Sequence, residues 1–444
     1  MNILNTYFDR SKIPLSGIII AFLFSLCYWI FVAVFSRNMV YWDHSVFTEV
    51  IAGLKPFNWE FIWSKNAEHQ IAIQRLIAIP MAWLTNWNTV YENVLSSLCI
   101  FLGYVFFVRS RVFMSDDDKK TKNILLILAT FLLINPIQYK NMLFAFQLPW
   151  GMLFLCFILF ANIIDKLAND FRLSIGAAIL LVMCTGLSMH GLAPLFYIIG
   201  YTIIVSLKNK RMYPNLIFLS FLSVILILFA VLPIPDTATS KAAFLKQPIN
   251  VPLFLLGLVG NPFSGRNFGI AVLCGIAIIS LFVFTYLRSA GKKDLLNELI
   301  IIYTGHPLIV MGFMVLLMFL VGRFRFGVDY CTASRYATFS ILFNVGLFYY
   351  VFQRVPQKHF VRIALVAIVT LGIFTGYYSA VTFQLKKDEG IDSFRECLLE
   401  NIPDFDKCNL RALYLFYPGD EVALKRMKIL YEKRLSFFHN VERK

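Results

Sequence analysis

Residues 14–36 read PLSGIIIAFLFSLCYWIFVAVFS, an apolar run without one Asp, Glu, Lys, Arg or His. A helix advances about 1.5 Å per residue, so about 20 such residues cross the roughly 30 Å hydrocarbon layer of a bilayer. The run exceeds the apolar stretch of a secretory signal and has no small-x-small cleavage site before the polar residues that follow, so it reads as a retained anchor. Comparable runs recur at Thr89 to Val108, Asn123 to Pro136, Gln147 to Ile164, Leu173 to Met189, Leu192 to Leu207 and Pro214 to Pro233. Four more follow at Asn267 to Leu287, Glu298 to Val321, Tyr336 to Phe352 and Ile363 to Phe383. The expected architecture is an all-α polytopic transmembrane bundle of about eleven spans. A barrel would show alternating segments of about ten residues, whereas these runs are continuously apolar.

Composition points the same way. The 444 residues are 59% hydrophobic and 15% charged, with 45 phenylalanines, and the mean hydropathy is +0.69. A soluble chain of this length could not build its polar shell from such a composition.

A formal charge of +15 is compatible with nucleic-acid binding, but the placement of the basic residues argues against it. Arg10 and Lys12, Arg109 to Lys122, Lys166 and Arg172, Lys208 to Arg211, Arg288 to Lys293, and Arg354 to Arg362 fall in alternate short connections. Short connections rich in Lys and Arg stay in the cytoplasm, and anionic headgroups account for their charge. The amino terminus is therefore expected inside, with residues 37–88 forming the first outward loop. An odd number of spans places the segment from Gln384 outside as well. The expected organisation is a membrane catalytic domain over 1–384 and an extracytoplasmic tail over 385–444. Six cysteines, Cys27, Cys99, Cys156, Cys184, Cys274 and Cys331, sit in or beside spans without metal-ligand spacing and read as small apolar fillers. Cys397 and Cys408 lie in the tail, where an oxidising compartment would permit a disulfide.

Ionisable residues are scarce in such a chain, so where they gather between spans is a pointer to chemistry. The loop 37–88 holds two acid-histidine pairs, Asp43-His44 and Glu68-His69, followed by Arg75. Within it, Val46 to Trp63 reads as an amphipathic helix in the headgroup plane, and Ile71 to Leu84 as a re-entrant or interfacial helix. Val251 to Gly260 is a second re-entrant piece. Irregular backbone at membrane depth survives only where protein or a water-filled cavity surrounds it, so a cavity is expected on the outward face. Its lining would draw on Lys140, Gln147, His190, Arg266 and Arg335, with Glu92 near the outward end of its span. Few carboxylates among many cations suit an anionic group such as a phosphate beside one proton acceptor.

Several local motifs support a more specific reading. Asn66-Ala67-Glu68-His69-Gln70 with Arg75, Asn141 through Gln147, Ser188-Met189-His190-Gly191 and Ser334-Arg335-Tyr336 resemble segments of the GT-C superfamily of integral-membrane glycosyltransferases. The tail pieces Tyr417-Pro418-Gly419-Asp420 and Arg434 to Phe438 also look like the end of such proteins. The layout is similar to bacterial members that decorate surface polysaccharides and to phage-borne serotype-converting glucosyltransferases. The resemblance implies a polyprenyl phosphate-linked sugar as donor and a polysaccharide or lipid-linked glycan as acceptor. It also implies transfer with inversion on the outer face of a bacterial inner membrane, as in O-antigen modification of lipopolysaccharide. The acidic pair usual in that superfamily is absent from the first loop. Asp43, Glu49, Glu60 and Glu68 stand apart, which supports no resident metal and leaves the base open.

Asp43, next to Trp42 just outside the first span, is one candidate base, and its competing reading is an interfacial residue in an aromatic belt. Glu68 is the other. If helical, it would share a face with Arg75 two turns on, and the competing reading is a surface ion pair. His44, His69, Arg75, Glu92, Lys140, Gln147, His190, Arg266 and Arg335 are assigned to substrate binding. The competing readings are headgroup contacts for the cations, a satisfied turn residue for His190 and a helix cap for Gln147. A polysaccharide polymerase would use a related donor and favour an arginine-rich late outward loop, faintly present in Arg323, Arg325 and Arg335. A lipid-linked sugar flippase would show midplane polar residues and an internal repeat.

Overall fold

The computed structural model describes residues 15–40, 42–66, 69–110, 119–231, 247–291, 294–355, 360–402, 404–408 and 420–440. Glu68, the Tyr417 to Gly419 motif and the basic residues Arg10, Lys12, Arg111, Lys292, Lys293 and Lys358 lie outside them.

Among the described residues, nine helices are long and apolar enough to cross a membrane, from Leu15–Phe35 to the 41-residue Phe360–Glu400. The shorter Phe171–Leu187 and the more polar Ser334–Arg354 coincide with the two remaining expected spans. The protein is an all-α polytopic membrane bundle. Helices start where the sequence offers an acceptor for orphan N–H groups: Asp170 caps Leu173 N at 3.1 Å and Asn267 caps Ile270 N at 3.0 Å.

Burial separates centre from periphery. The apolar windows of Thr121–Leu143 and Ala145–Lys166 are 78% buried, against 17% for Leu15–Phe35 and 22% for both Pro214–Val231 and Phe268–Ala290. The second group presents its large side chains outward, as lipid-facing helices must. Ser334–Arg354 lies deepest, with every residue from Tyr336 to Phe352 buried. Several of its polar side chains are hydrogen-bonded, which offsets part of the cost of that depth. Thr338 Oγ1 donates to Gln138 Oε1 at 2.8 Å, and Asn344 Nδ2 donates to Val259 O at 2.8 Å. Helix Asn250–Gly260 packs on Phe268–Ala290 at close range. A Cβ on Gly260 would lie 1.9 Å from Ala271 O, so only glycine permits the approach.

Two sequence expectations are corrected. The span Glu298 to Val321 is two helices, Leu295–Gly305 and Pro307–Arg323, because Pro307 cannot continue the ladder. Val46 to Trp63 is not one helix either. It consists of a 3-10 turn Trp42–Phe47, a helical turn Thr48–Ile51 and a short helix Trp59–Trp63. Gly53 at φ +73° and Pro56 break it, and Val50 and Ile51 point into protein, not into headgroups.

The first loop and the tail share a second hydrophobic core. Phe47, Ile51, Ile79 and Trp87 from the loop pack with Phe394, Leu398, Phe405, Leu430 and Phe438 from the tail. The helix Phe360–Glu400 runs from the membrane into this cap without interruption, so the expected boundary at 384 falls inside a single rod. Cys397 and Cys408 are disulfide-bonded within the cap.

Candidate functional site

The turn Trp42–Phe47 begins with Trp42 in the left-handed region at φ +49°. Ser45 Oγ donates to Trp42 O at 2.7 Å and Thr48 Oγ1 donates to Ser45 O at 2.7 Å, closing the turn. His44 points inward, its Nε2 3.0 Å from Glu92 Oε2, with both side chains buried. The rings of Trp87 and Phe47 stand edge-on to His44 at 5.2 and 5.9 Å. This buried bond ties the turn to the helix Val90–Val108. The sequence reading placed His44 and Glu92 at the cavity; the structure shows them as a buried pair that anchors the turn next to the half-buried Asp43.

Arg335, which feels Asp43, belongs to a gathering of cations drawn from three breaks in the bundle and from the continuous helix Phe360–Glu400. Lys140, on the short helix Tyr139–Leu143 after the break at Asn135-Pro136, places Nζ 4.7 Å from the Trp42 ring centre. Burial acts most strongly on Lys140, followed by the charges of Arg335, Arg266 and Lys387. Arg335, at the start of Ser334–Arg354, in turn feels the carboxylate of Asp43, and its guanidinium lies 5.5 and 5.4 Å from the ring centres of Tyr330 and Tyr336. Arg266 follows the turn at Asn261–Phe263, bonds Tyr139 Oη at 3.1 Å and covers the Phe383 ring at 4.5 Å.

The scaffold beneath these side chains is rigid. Asn141 Nδ2 donates to Arg335 O at 2.7 Å and to Thr338 Oγ1 at 2.6 Å. Asn261 Nδ2 donates to Cys331 O at 3.0 Å and Ala333 O at 3.1 Å, which latches the 328–332 turn in place. The short helices and turns that interrupt the spans are thus bonded to one another around these side chains.

Beside the cations lies a chain of hydrogen bonds with a defined direction. Arg323 NH2 is 2.8 Å from His69 Nε2, His69 Nδ1 is 3.2 Å from Ser188 Oγ, and Ser188 Oγ is 3.0 Å from His190 Nδ1. A guanidinium only donates, so His69 Nε2 must accept and its proton sits on Nδ1. His69 then donates to Ser188, the Ser188 hydroxyl donates to His190 Nδ1, and His190 carries its proton on Nε2. Both imidazoles are neutral in this arrangement. Trp150, Phe319 and Phe339 surround His190 at ring distances of 5.0, 4.6 and 6.2 Å. The turn that holds it is tight, since a Cβ on Gly191 would lie 1.9 Å from Cys184 O.

Arg75 does not join the site. Its guanidinium donates to Phe61 O at 2.6 Å, Ile62 O at 3.2 Å, Ser64 Oγ at 2.9 Å and Ser64 O, closing the carboxyl end of Trp59–Trp63. Burial pushes it down to about 10, still cationic at neutral pH. Glu68, expected to share a helical face with Arg75, lies outside the described residues. His69–Gln70 pairs antiparallel with Lys65–Asn66, and the helix begins only at Ala72. Arg75→Ala is expected to lower the stability of the protein by about 2 kcal/mol or more, read as a lower melting temperature. Gln147 is buried below the loop, and its side chain does not cap Leu148–Ile163, the alternative role considered for it.

Of the sequence candidates, the fold brings Asp43, Lys140, Arg266 and Arg335 into one electrostatic neighbourhood, with His69 and His190 linked beside them. The sequence reading places Arg323 in the cavity lining and Ser188 in the Ser188-Met189-His190-Gly191 motif, neither with a role, and does not name Lys387. Lys387 had a readable signal: no Pro or Gly separates it from the apolar run ending at Phe383, so the helix should carry it one turn past the span. No protein-family model, curated protein or solved structure matches this chain.

Proposed function

We propose that this protein is a GT-C-type inverting glycosyltransferase that takes a sugar from a polyprenyl phosphate donor and passes it to a surface glycan on the outer face of a bacterial inner membrane. The observation that carries the reading is one half-buried carboxylate, Asp43, set against the cations Lys140, Arg266 and Arg335 at the mouth of a membrane bundle. In such a transfer an acceptor hydroxyl loses its proton to a base as oxygen attacks the anomeric carbon, and the lipid phosphate departs with the bonding pair. Asp43 suits the first task and the cations the second. The neutral His69-Ser188-His190 chain offers uncharged hydrogen bonding for sugar hydroxyls. No covalent enzyme intermediate is required.

The amino terminus is cytoplasmic in this reading, and the cap formed by the first loop and tail is periplasmic, where the disulfide is maintained. Mass spectrometry of surface polysaccharide from cells expressing the chain should show one added sugar per modified repeat, lost on deletion. An unchanged glycan in a host that supplies the donor would reject the proposal. The arginines Arg323, Arg325 and Arg335 around one turn also suit a polymerase using a lipid-linked glycan. That reading requires altered chain length in place of an added side sugar.

A further inference from the structure

We infer that the carboxy-terminal tail is a working part of the site, with Arg426 a positioning residue that holds the Asp43 turn through Ser45. Arg426 sits on the helix Asp420–Glu432, far along the chain from the loop, yet its NH1 donates to Ser45 Oγ at 2.7 Å. Ser45 lies two residues from Asp43, and the same hydroxyl donates onward to Trp42 O at 2.7 Å. One bond from the tail therefore reaches both ends of the short segment that presents the carboxylate. Trp42 in turn lies under Lys140, so a shift of this turn would move the carboxylate relative to the cations.

The tail is braced for such a role. Phe405, three residues before Cys408 in the disulfide loop, packs against Tyr431 and Phe438 at 6.0 and 5.7 Å. Ser436 N donates to Asn86 O at 2.7 Å and Ser436 Oγ to Asn38 Oδ1 at 3.1 Å, pinning the segment after the helix to the loop from the other side. Arg426 is half-buried and its charge lies near Glu49, so the side chain enters the cap with its head directed at the loop. The long helix that delivers the tail also delivers Lys387 to the cations and Phe383 to the Tyr139 ring at 5.0 Å. Tail and site are thus coupled at the carboxylate and at the cationic wall.

The inference rests on the proposed function only in its kinetic arm. The first measurement is deuterium uptake of the 42–47 peptide in the full-length protein in nanodiscs, for wild type, Arg426→Gln, Arg426→Lys, Ser45→Ala and the Arg426→Gln/Ser45→Ala double variant. Uptake should rise in Arg426→Gln, return toward wild type in Arg426→Lys, and rise no further in the double variant than in Ser45→Ala, because the two residues act through one bond. The second measurement is transfer at saturating donor. Misplacement of a reacting group by about 1 Å costs on the order of a hundredfold, so kcat should fall at least about tenfold in Arg426→Gln while donor KM stays within about twofold. A wild-type uptake pattern in Arg426→Gln, or additive effects in the double variant, would overturn the inference. So would a fall in kcat matched by an equal loss of donor binding. If the wild type transfers no sugar but uptake follows the expected cycle, the proposed function fails and the coupling of tail to turn stands.

Discussion

Asp43→Asn is expected to abolish sugar transfer while leaving the lipid phosphate bound. A positioned base contributes about 10²–10⁴-fold to proton transfer, and asparagine of the same shape cannot take up a proton at neutral pH. The backbone geometry should survive, because the turn is held by Ser45, Thr48 and the His44 to Glu92 bond, none of which uses the Asp43 side chain. Removing a negative charge beside Arg335 leaves the cations less compensated, so affinity for the anionic donor should hold or rise. The measurement is single-turnover transfer alongside donor binding. If both fall together, Asp43 is a structural or binding group. If transfer is retained, the carboxylate has no role in chemistry, and Glu68 becomes the group to test.

Arg335→Gln should show the opposite split, with donor binding weakened first. A hydrogen bond to a charged group contributes about 1.5–3 kcal/mol, corresponding to roughly 10–150-fold in affinity. Arg335→Lys should recover only part of this, because a planar fork can hold two phosphate oxygens at once and an ammonium cannot. The fold around the position should persist, since Asn141 bonds the backbone oxygen of residue 335 and Thr338, not the guanidinium. Titration with a short-chain polyprenyl phosphate at several salt concentrations reads this directly. Unchanged affinity would move the phosphate site elsewhere along the cationic wall.

Much of the architecture was legible because a bilayer imposes a simple rule: long apolar runs must be helical so that every backbone group is bonded within the segment. Leu15–Phe35 and Phe268–Ala290 follow from that rule alone. The re-entrant reading of Ile71 to Leu84 also corresponds to a real short helix, Ala72–Thr85, with Pro80 inside it. Residue pairing was less legible. Glu92 was placed in the cavity on charge and position along its span, yet it is bonded to a histidine 48 residues earlier. Arg75 looked like a ligand because it follows the acid-histidine pair in the first loop, but its NH1 is engaged by three backbone carbonyls and a hydroxyl. Such outcomes depend on how distant segments cross, which local spacing does not encode. The link from Arg426 to Ser45 spans 381 residues and could not have been read from either segment.

The central claim is that the carboxylate and cations at this end of the bundle break a sugar-phosphate bond. The most direct measurement places purified protein in nanodiscs with a radiolabelled polyprenyl phosphate sugar and a glycan acceptor, then separates lipid from glycan. The account predicts label in the glycan and a matching release of polyprenyl phosphate, both absent with Asp43→Asn. Donor that remains intact with the wild type, while proteoliposomes move it between leaflets, would contradict the claim and identify a transporter.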